Sequence, residues 1–289
     1  MCGINGIISK DKNKDKLIKS MNEKILHRGP DAEGIFVDGD VALGQRRLSI
    51  IDLAGGNQPI YNEDKSILIM YNGEVYNYKE LKEELTEYKF ETESDTEVVL
   101  HGYETWGHDL PKKLRGMFAY AIYDKNKGEI FISRDQFGIK PLYYYHDGDT
   151  ILFGSEIKSF LAYPKFKKVL NKELLGAYLT FSFTPTDETF FKGVYRLPSG
   201  HSMTIDVKKR KIKIDRYFKV EFGNTDKSFD EKYSTYILIY LKDDIVVGIS
   251  GNASSMNFDG TVSYGTSAAT LVSNGWVDVD WYKTTAGNA

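Results

Sequence analysis

The stretch Phe118-Ala-Tyr-Ala-Ile-Tyr-Asp-Lys-Asn-Lys-Gly-Glu-Ile-Phe-Ile-Ser133 decides the fold class. Two runs rich in aromatic and β-branched residues, Phe118–Tyr123 and Ile130–Ser133, flank a polar loop from Asp124 to Gly128. This is a hairpin layout, and a hairpin implies antiparallel pairing, because parallel strands need a long crossover. The same layout recurs later. Leu142–Tyr145 and Ile151–Phe153 flank Asp147-Gly148-Asp149, and Met203–Asp206 and Ile212–Ile214 flank the basic turn Lys208-Lys-Arg-Lys211. That turn reads as a solvated loop. Val41–Ile51 has strand character around its two arginines, and Ile67–Tyr71 is a short continuous apolar run.

Helical stretches interrupt these strands. Leu17, Ile18, Met21, Ile25 and Leu26 share one helical face, and His27-Arg-Gly-Pro30 closes that helix. Tyr78–Tyr88 carries Leu81 and Leu85 four apart. Ser94 and Glu97 are spaced as a capping box ahead of Val98–Trp106. Asn171 opens a further helix, with Leu174, Leu175 and Tyr178 on one side. Helices inserted into a hairpin-built sheet predict an α+β layered domain, not a doubly wound parallel sheet.

Composition narrows the function classes. The chain has 289 residues, 41% hydrophobic and 27% charged, which is the profile of a globular protein and not of a disordered tail. Its 38 Lys+Arg against 41 Asp+Glu leave a net charge of −3, so no global field draws it to nucleic acid or anionic lipid. Apolar runs such as Tyr236–Leu241 fall far short of the roughly 20 residues of a spanning helix. No nucleic-acid or membrane partner is therefore expected, and the N-terminus lacks a secretory layout. The five histidines are scattered without a His-x-x-x-His pair, so no metal site is expected. One cysteine permits neither an internal disulfide nor a cysteine-based zinc site, and a reducing cytoplasm is the simplest address.

That cysteine is Cys2. As the residue after the initiator it is small, so removal of Met1 is expected, which would put a thiol and a free α-amine on one residue. The two groups have reference pKa values of about 8.5 and about 7.7–8.0, so the amine can take the thiol proton near neutrality. The thiolate is the nucleophile. An incidental cysteine is the competing reading. Asn72-Gly73-Glu74 follows the Ile67–Tyr71 strand, where an amide beside a glycine N–H suits an oxyanion and equally suits a strand-end turn. Arg47 in its strand could clamp a carboxylate or merely face solvent. Asp95, just after Ser94, could bind an ammonium or only cap a helix. Together, a thiolate, an oxyanion cradle, a carboxylate clamp and two acids suit an amino-acid amide, namely glutamine.

The motifs Met1-Cys-Gly-Ile-Asn-Gly6, His27-Arg-Gly-Pro-Asp31, Arg46-Arg-Leu-Ser-Ile-Ile-Asp52, Gly56-Asn-Gln-Pro59, Tyr71-Asn-Gly-Glu-Val-Tyr-Asn77, Ser94-Asp-Thr-Glu97, Gly116-Met-Phe-Ala-Tyr-Ala-Ile-Tyr-Asp124, Arg134-Asp-Gln-Phe-Gly-Ile-Lys-Pro-Leu-Tyr-Tyr144 and Ser155-Glu-Ile-Lys158 follow in that order. With Thr189-Phe-Phe-Lys-Gly193 and Leu197-Pro-Ser-Gly-His201, the chain to about Asp230 resembles the glutaminase domain of glutamine-hydrolysing asparagine synthetase, a class II amidotransferase. The resemblance implies an N-terminal-nucleophile αββα sandwich, two antiparallel sheets between helical layers. It implies Cys2 as the nucleophile forming a thioester, Asn72 and Gly73 as the oxyanion positions, Arg47 on the substrate carboxylate, Glu74 and Asp95 on its ammonium, and the backbone at Ile50 and Ile51 lining the pocket. It also implies a partner for the ammonia, a synthetase domain or separate subunit that amidates aspartate with ATP and Mg in asparagine biosynthesis, and it allows a homodimer. The glutaminase step itself needs no cofactor. A non-catalytic glutamine-binding or assembly module is the alternative.

The resemblance weakens toward the C-terminus. From Ser250 to Ala289, 25 of 40 residues are Gly, Ala, Ser, Thr or Asn, unlike the charged chain before them. Val246-Val-Gly-Ile-Ser-Gly-Asn-Ala-Ser-Ser255 is the nearest counterpart of a synthetase Ser-Gly-Gly-x-Asp-Ser phosphate loop, but Asn252 replaces the second glycine and the loop aspartate is missing. The expected organisation is thus an amidotransferase domain over 1–230 and, over 231–289, a degenerate synthetase start or unrelated tail.

Overall fold

The computed structural model describes residues 2–49 and 55–220, and beyond them the backbone of four short strands at 237–241, 245–249, 253–256 and 262–264. The chain divides into two compact units, Met1–Lys219 and Val220–Ala289. In chain order the first unit runs β1 (Gly3–Ile8), α1 (Lys14–Lys24), β2 (Ala32–Asp38), β3 (Val41–Arg47), β4 (Ile60–Tyr61), β5 (Ile67–Val75), α2 (Tyr78–Glu84) and α3 (Asp95–Trp106). It continues α4 (Leu110–Lys113), β6 (Gly116–Asp124), β7 (Glu129–Arg134), β8 (Tyr143–His146), β9 (Ile151–Gly154), α5 (Leu174–Phe181), β10 (Val194–Arg196), β11 (His201–Asp206) and β12 (Lys211–Arg216). In the second unit, β13 (Ile237–Leu241) pairs with β14 (Ile245–Ile249), and β15 (Ala253–Met256) with β16 (Val262–Tyr264). The phosphate-loop comparison at Ser250, Gly251 and Asn252 lies outside the described residues.

Two six-stranded sheets build the first unit, in the orders β10-β8-β9-β1-β3-β2 and β12-β11-β7-β6-β5-β4. Their pairings are antiparallel, and the hairpin read from residues 118–133 is β6–β7, with Tyr123 opposite Ile130. Strand alternation separates the layers. Ile4, Ile8, Val41 and Leu43 of one sheet meet Leu68, Met70, Ile130 and Ile132 of the other in a core between the sheets. The intervening residues face outward: Ile7 and Ala42 pack under Ile18 and Met21 of α1, and Ile69 and Tyr71 under Val98 and Val99 of α3. This is the αββα sandwich. Each large side chain buried in it contributes about 1.5–3 kcal/mol, an upper figure set against an extended unfolded chain. β1 can lie in the sandwich because position 6 is glycine: a Cβ there would sit 2.1 Å from a ring carbon of Phe153.

Several local expectations shift. β3 stops at Arg47, not at Ile51, because Leu48 turns its backbone to Cys2 and the Ser49 N–H donates to Asp31 Oδ2 at 2.8 Å. α2 stops at Glu84, with Leu85 as its buried C-cap. The capping box is remodelled. Ser94 accepts from the Thr96 N–H, while the Glu97 carboxylate accepts from the N–H groups of Glu91 and Thr92 and from the Thr92 hydroxyl. α5 begins at Leu174 and buries that residue, whereas Leu175 and Tyr178 stay exposed on its surface. In the basic turn, Arg210 pairs with Asp40 at 2.6 Å across the sandwich edge. Among the described residues no helix is long and apolar enough to cross a membrane.

Candidate active site

The alternation that packs the core also aims the site. Along β3, Val41 and Leu43 point between the sheets, so Gln45 and Arg47 follow on that face. Along β5, Leu68 and Met70 point inward, so Asn72 follows, while Tyr71 turns to the helical layer. Cys2 precedes β1 two residues before inward-facing Ile4. The apolar layer therefore ends in a polar rim made by the three strand ends.

Cys2 is half-buried. Gly3 pairs with Arg46, which brings Leu48 alongside the thiol. The Leu48 N–H donates to Sγ at 3.3 Å, and the Sγ–H can donate to the Leu48 carbonyl at 3.5 Å. The carbonyl of Cys2 accepts from Arg28 Nε at 2.9 Å, and Arg28 Nη1 in turn binds Glu156 at 3.0 Å. Sulfur and carbonyl of the cysteine are thus both held.

Arg47 is 4% exposed, and its Nη1 donates to Asn57 Oδ1 at 2.9 Å. The next residue, Gln58, accepts the Tyr71 N–H at 2.6 Å, extending the β5 edge pairing beyond Ile60 and Pro59, which has no N–H to give. Asn72 is buried, and its Nδ2 has no hydrogen-bond partner among the described residues. A buried orphan donor is costly, about 1–3 kcal/mol, and such groups mark positions where a ligand completes the bonding. Gly73 faces Phe118 across the ladder, and a Cβ there would meet the Met117 carbonyl oxygen at 2.5 Å. Glu74 is half-buried.

Asp95 opens α3 at 4% exposed. Ser94 is the helix cap, while Asp95 Oδ2 reaches across to β5 and accepts from the Tyr71 hydroxyl at 2.6 Å and the Val75 N–H at 2.9 Å. Burial raises the Asp95 pKa above the usual carboxylate value, and the Tyr71, Val75 and Thr96 donors pull it back. Helix capping alone does not account for a side chain bonded to another element.

Cys2, Arg47, Gly73, Glu74 and Asp95 line one open cleft. Asn72 sits between two residues that line it. Ile50 and Ile51 lie outside the described residues. The cleft offers a sulfur nucleophile, a guanidinium and two carboxylates, a charge layout matched to a zwitterion. Sequence reasoning assigned no role to Tyr71, Asn57, Gln58 or the Leu48 backbone. All four fall in quoted motifs, Arg46-Arg-Leu-Ser-Ile-Ile-Asp52, Gly56-Asn-Gln-Pro59 and Tyr71-Asn-Gly-Glu, but Asn57 and Tyr71 work by holding Arg47 and Asp95 across 10 and 24 residues of chain.

Residues 1–218 match a family model described as a glutamine amidotransferase domain. An asparagine synthetase (glutamine-hydrolysing) 1 of Bacillus subtilis is 39% identical over 271 residues, 88% of this chain and 43% of the relative. A second one from that organism is 39% identical over 232 residues, 76% of this chain and 31% of the relative. The chain thus spans less than half the length of these relatives. Among solved structures, the glutamine phosphoribosylpyrophosphate amidotransferase of B. subtilis superposes with a TM-score of 0.56 at 20% identity, over 75% of this chain and 49% of that one, a likeness of fold.

Proposed function

Because the chain belongs to the glutamine amidotransferase domain family, we propose that it hydrolyses glutamine to glutamate and ammonia through a thioester at Cys2. The observation that carries the reading is the cleft shared by Cys2, Arg47, Gly73, Glu74 and Asp95. Arg47 takes the substrate α-carboxylate in a charge-assisted pair, and Glu74 with Asp95 takes the α-ammonium. This fixes the γ-amide over the sulfur.

Once Met1 is removed, the α-amine of Cys2 takes the thiol proton, and Sγ attacks the γ-carbonyl carbon. The carbonyl π pair moves to oxygen, and Asn72 Nδ2 with the backbone at Gly73 receives the charge, a role supported by that amide's unsatisfied donor. The proton passes to the amide nitrogen, the C–N bond breaks, and ammonia leaves. Water then adds to the thioester carbon and the C–S bond breaks, giving glutamate and the free thiol. No cofactor enters these steps.

The relatives are named as glutamine-hydrolysing asparagine synthetases, which supports as the destination of the ammonia an ATP-dependent amidation of aspartate, or of a related acceptor, by a synthetase domain or subunit. ATP and Mg serve that second step. A cytoplasmic location fits the lone reduced cysteine, and a homodimer fits the resemblance.

The test is ammonia release from glutamine by the purified chain, with and without ATP and aspartate. Release that survives without both and disappears in Cys2→Ala supports the reading. Release unaffected by Cys2→Ala would remove it.

A further inference from the structure

The side chain that binds Asp95 most closely belongs to Tyr71, a residue that also lines the cleft. Tyr71 is wholly buried on the helical side of β5, packed with Val98 and Val99, and its hydroxyl hydrogen points at Asp95 Oδ2 from 2.6 Å. The Val75 N–H reaches the same oxygen from the same strand. Oδ2 is therefore committed to β5, while Asp95 itself lines the cleft. Tyr71 is fixed in turn by the Gln58 carboxamide on its own N–H.

The geometry points to Tyr71 as a positioning residue that holds the Asp95 carboxylate ionised and turned toward the α-ammonium of the ligand. The inference rests on the glutamine-site reading above and adds to it the residue that selects for an α-amino group. The reason is electrostatic. A carboxylate at this depth is penalised for its charge, and a short O–H donor stabilises only the charged form. Burial and the Asp95 charge hold the phenol far above its ordinary pKa, so Tyr71 remains a donor throughout the working range.

The other charged groups facing Asp95 do not replace it. From β3, Arg47 is bound to Asn57; from β5, Glu74 adds like charge; from the N-terminus, Cys2 brings a thiol. α2, packed on α3, turns only Leu81 inward, while its Glu80, Lys82 and Glu84 pair with Arg115, Glu93 and Lys113 at the surface. Without the Tyr71 hydroxyl, Asp95 would take up a proton at higher pH and lose its grip on an ammonium.

The test is calorimetric binding in a Cys2→Ala background, so that turnover plays no part. Glutamine and 4-carbamoylbutanoate, which lacks the α-amino group, are compared with and without Tyr71→Phe. Removing a hydrogen bond to a charged group predicts about tenfold to a hundredfold weaker glutamine binding near pH 5, narrowing as the pH rises to about 8. Binding of 4-carbamoylbutanoate should change less than about threefold, against roughly tenfold per 1.4 kcal/mol. Equal weakening of both ligands, or a glutamine loss that does not narrow with pH, would overturn the inference, because a merely structural tyrosine would act that way. Unaltered glutamine affinity overturns it as well. Tight, Tyr71-dependent glutamine binding by a chain that never releases ammonia would sink the hydrolytic reading and leave this inference standing.

Discussion

Arg47 Nη1 lies 2.9 Å from the Asn57 carboxamide oxygen, so the guanidinium lining the cleft is aimed by a residue ten positions away in a loop. Asn57→Ala removes that acceptor while leaving the charge. The expected outcome is a KM for glutamine raised about tenfold with kcat within about twofold, the pattern of lost ground-state binding. Steady-state ammonia release checks it. A fall in kcat alone would show that Arg47 is positioned by something else.

Two glycine replacements should part company. Gly73→Ala places a methyl 2.5 Å from the Met117 carbonyl oxygen and 2.8 Å from Phe118 Cα, both backbone atoms of the paired strand. The ladder must shift, at about 1–3 kcal/mol or more, and with it the proposed oxyanion position. Gly176→Ala in α5 meets nothing within 4 Å and should raise stability by about 0.5–1 kcal/mol through helix propensity. Thermal melts with parallel activity assays read both. A Gly73→Ala protein as stable and active as the parent would contradict the packing argument.

Arg28 ties the Cys2 carbonyl to Glu156, so Arg28→Gln should loosen the nucleophile more than the ligand clamp. A fall in kcat of about tenfold with a smaller change in KM is expected, because misplaced reacting atoms lose the proximity advantage. The rate of Cys2 alkylation by a glutamine affinity label gives an independent reading. If the label reacts at the parental rate, Arg28 does not set the thiol.

His101 links stability to pH. It lies between Glu97 and Glu104, 3.6 and 2.7 Å away, stacked against Tyr88. Burial favours the neutral ring, but the two carboxylates outweigh it and raise the pKa to about 9. Glu97 is likewise penalised by burial, yet His101 and the Glu91 and Thr92 donors lower it to about 2. A raised histidine stabilises the fold fully below its unfolded value, 6.5, and that stability is lost as pH rises through about 9. A depressed glutamate stabilises above its unfolded value, 4.5, and that stability is lost as pH falls toward about 2. Chemical denaturation should therefore show a decline between pH 6.5 and about 9 that flattens in His101→Gln. The same slope in both proteins would reject the assignment.

Much of this molecule is legible before folding. The hairpins around Asp124–Gly128 and Asp147–Asp149 can be read because strand alternation and turn residues are local signals. β1, by contrast, is Gly3-Ile-Asn-Gly-Ile-Ile8, with two glycines that weaken strand propensity; it is a strand because β3 and β9 flank it. Glu97 departs from its capping-box role because the N–H groups of Glu91 and Thr92 and the Thr92 hydroxyl, in the loop ahead of the helix, hold its carboxylate at 2.6–2.8 Å.

By itself the sequence determined the residue types for the chemistry: a single cysteine at position 2, Asn72-Gly73-Glu74 at a strand end, Arg47 and Asp95, in an order resembling a known family. Only the tertiary structure decided that Cys2, Arg47, Gly73, Glu74 and Asp95 open onto one cleft and that Tyr71, Asn57 and Arg28 hold Asp95, Arg47 and Cys2. The physical reason is range. Propensity and periodicity act within a turn or a strand, whereas a hydrogen bond between Tyr71 and Asp95 exists only after two sheets and a helix have packed, and its strength comes from the water that packing removes.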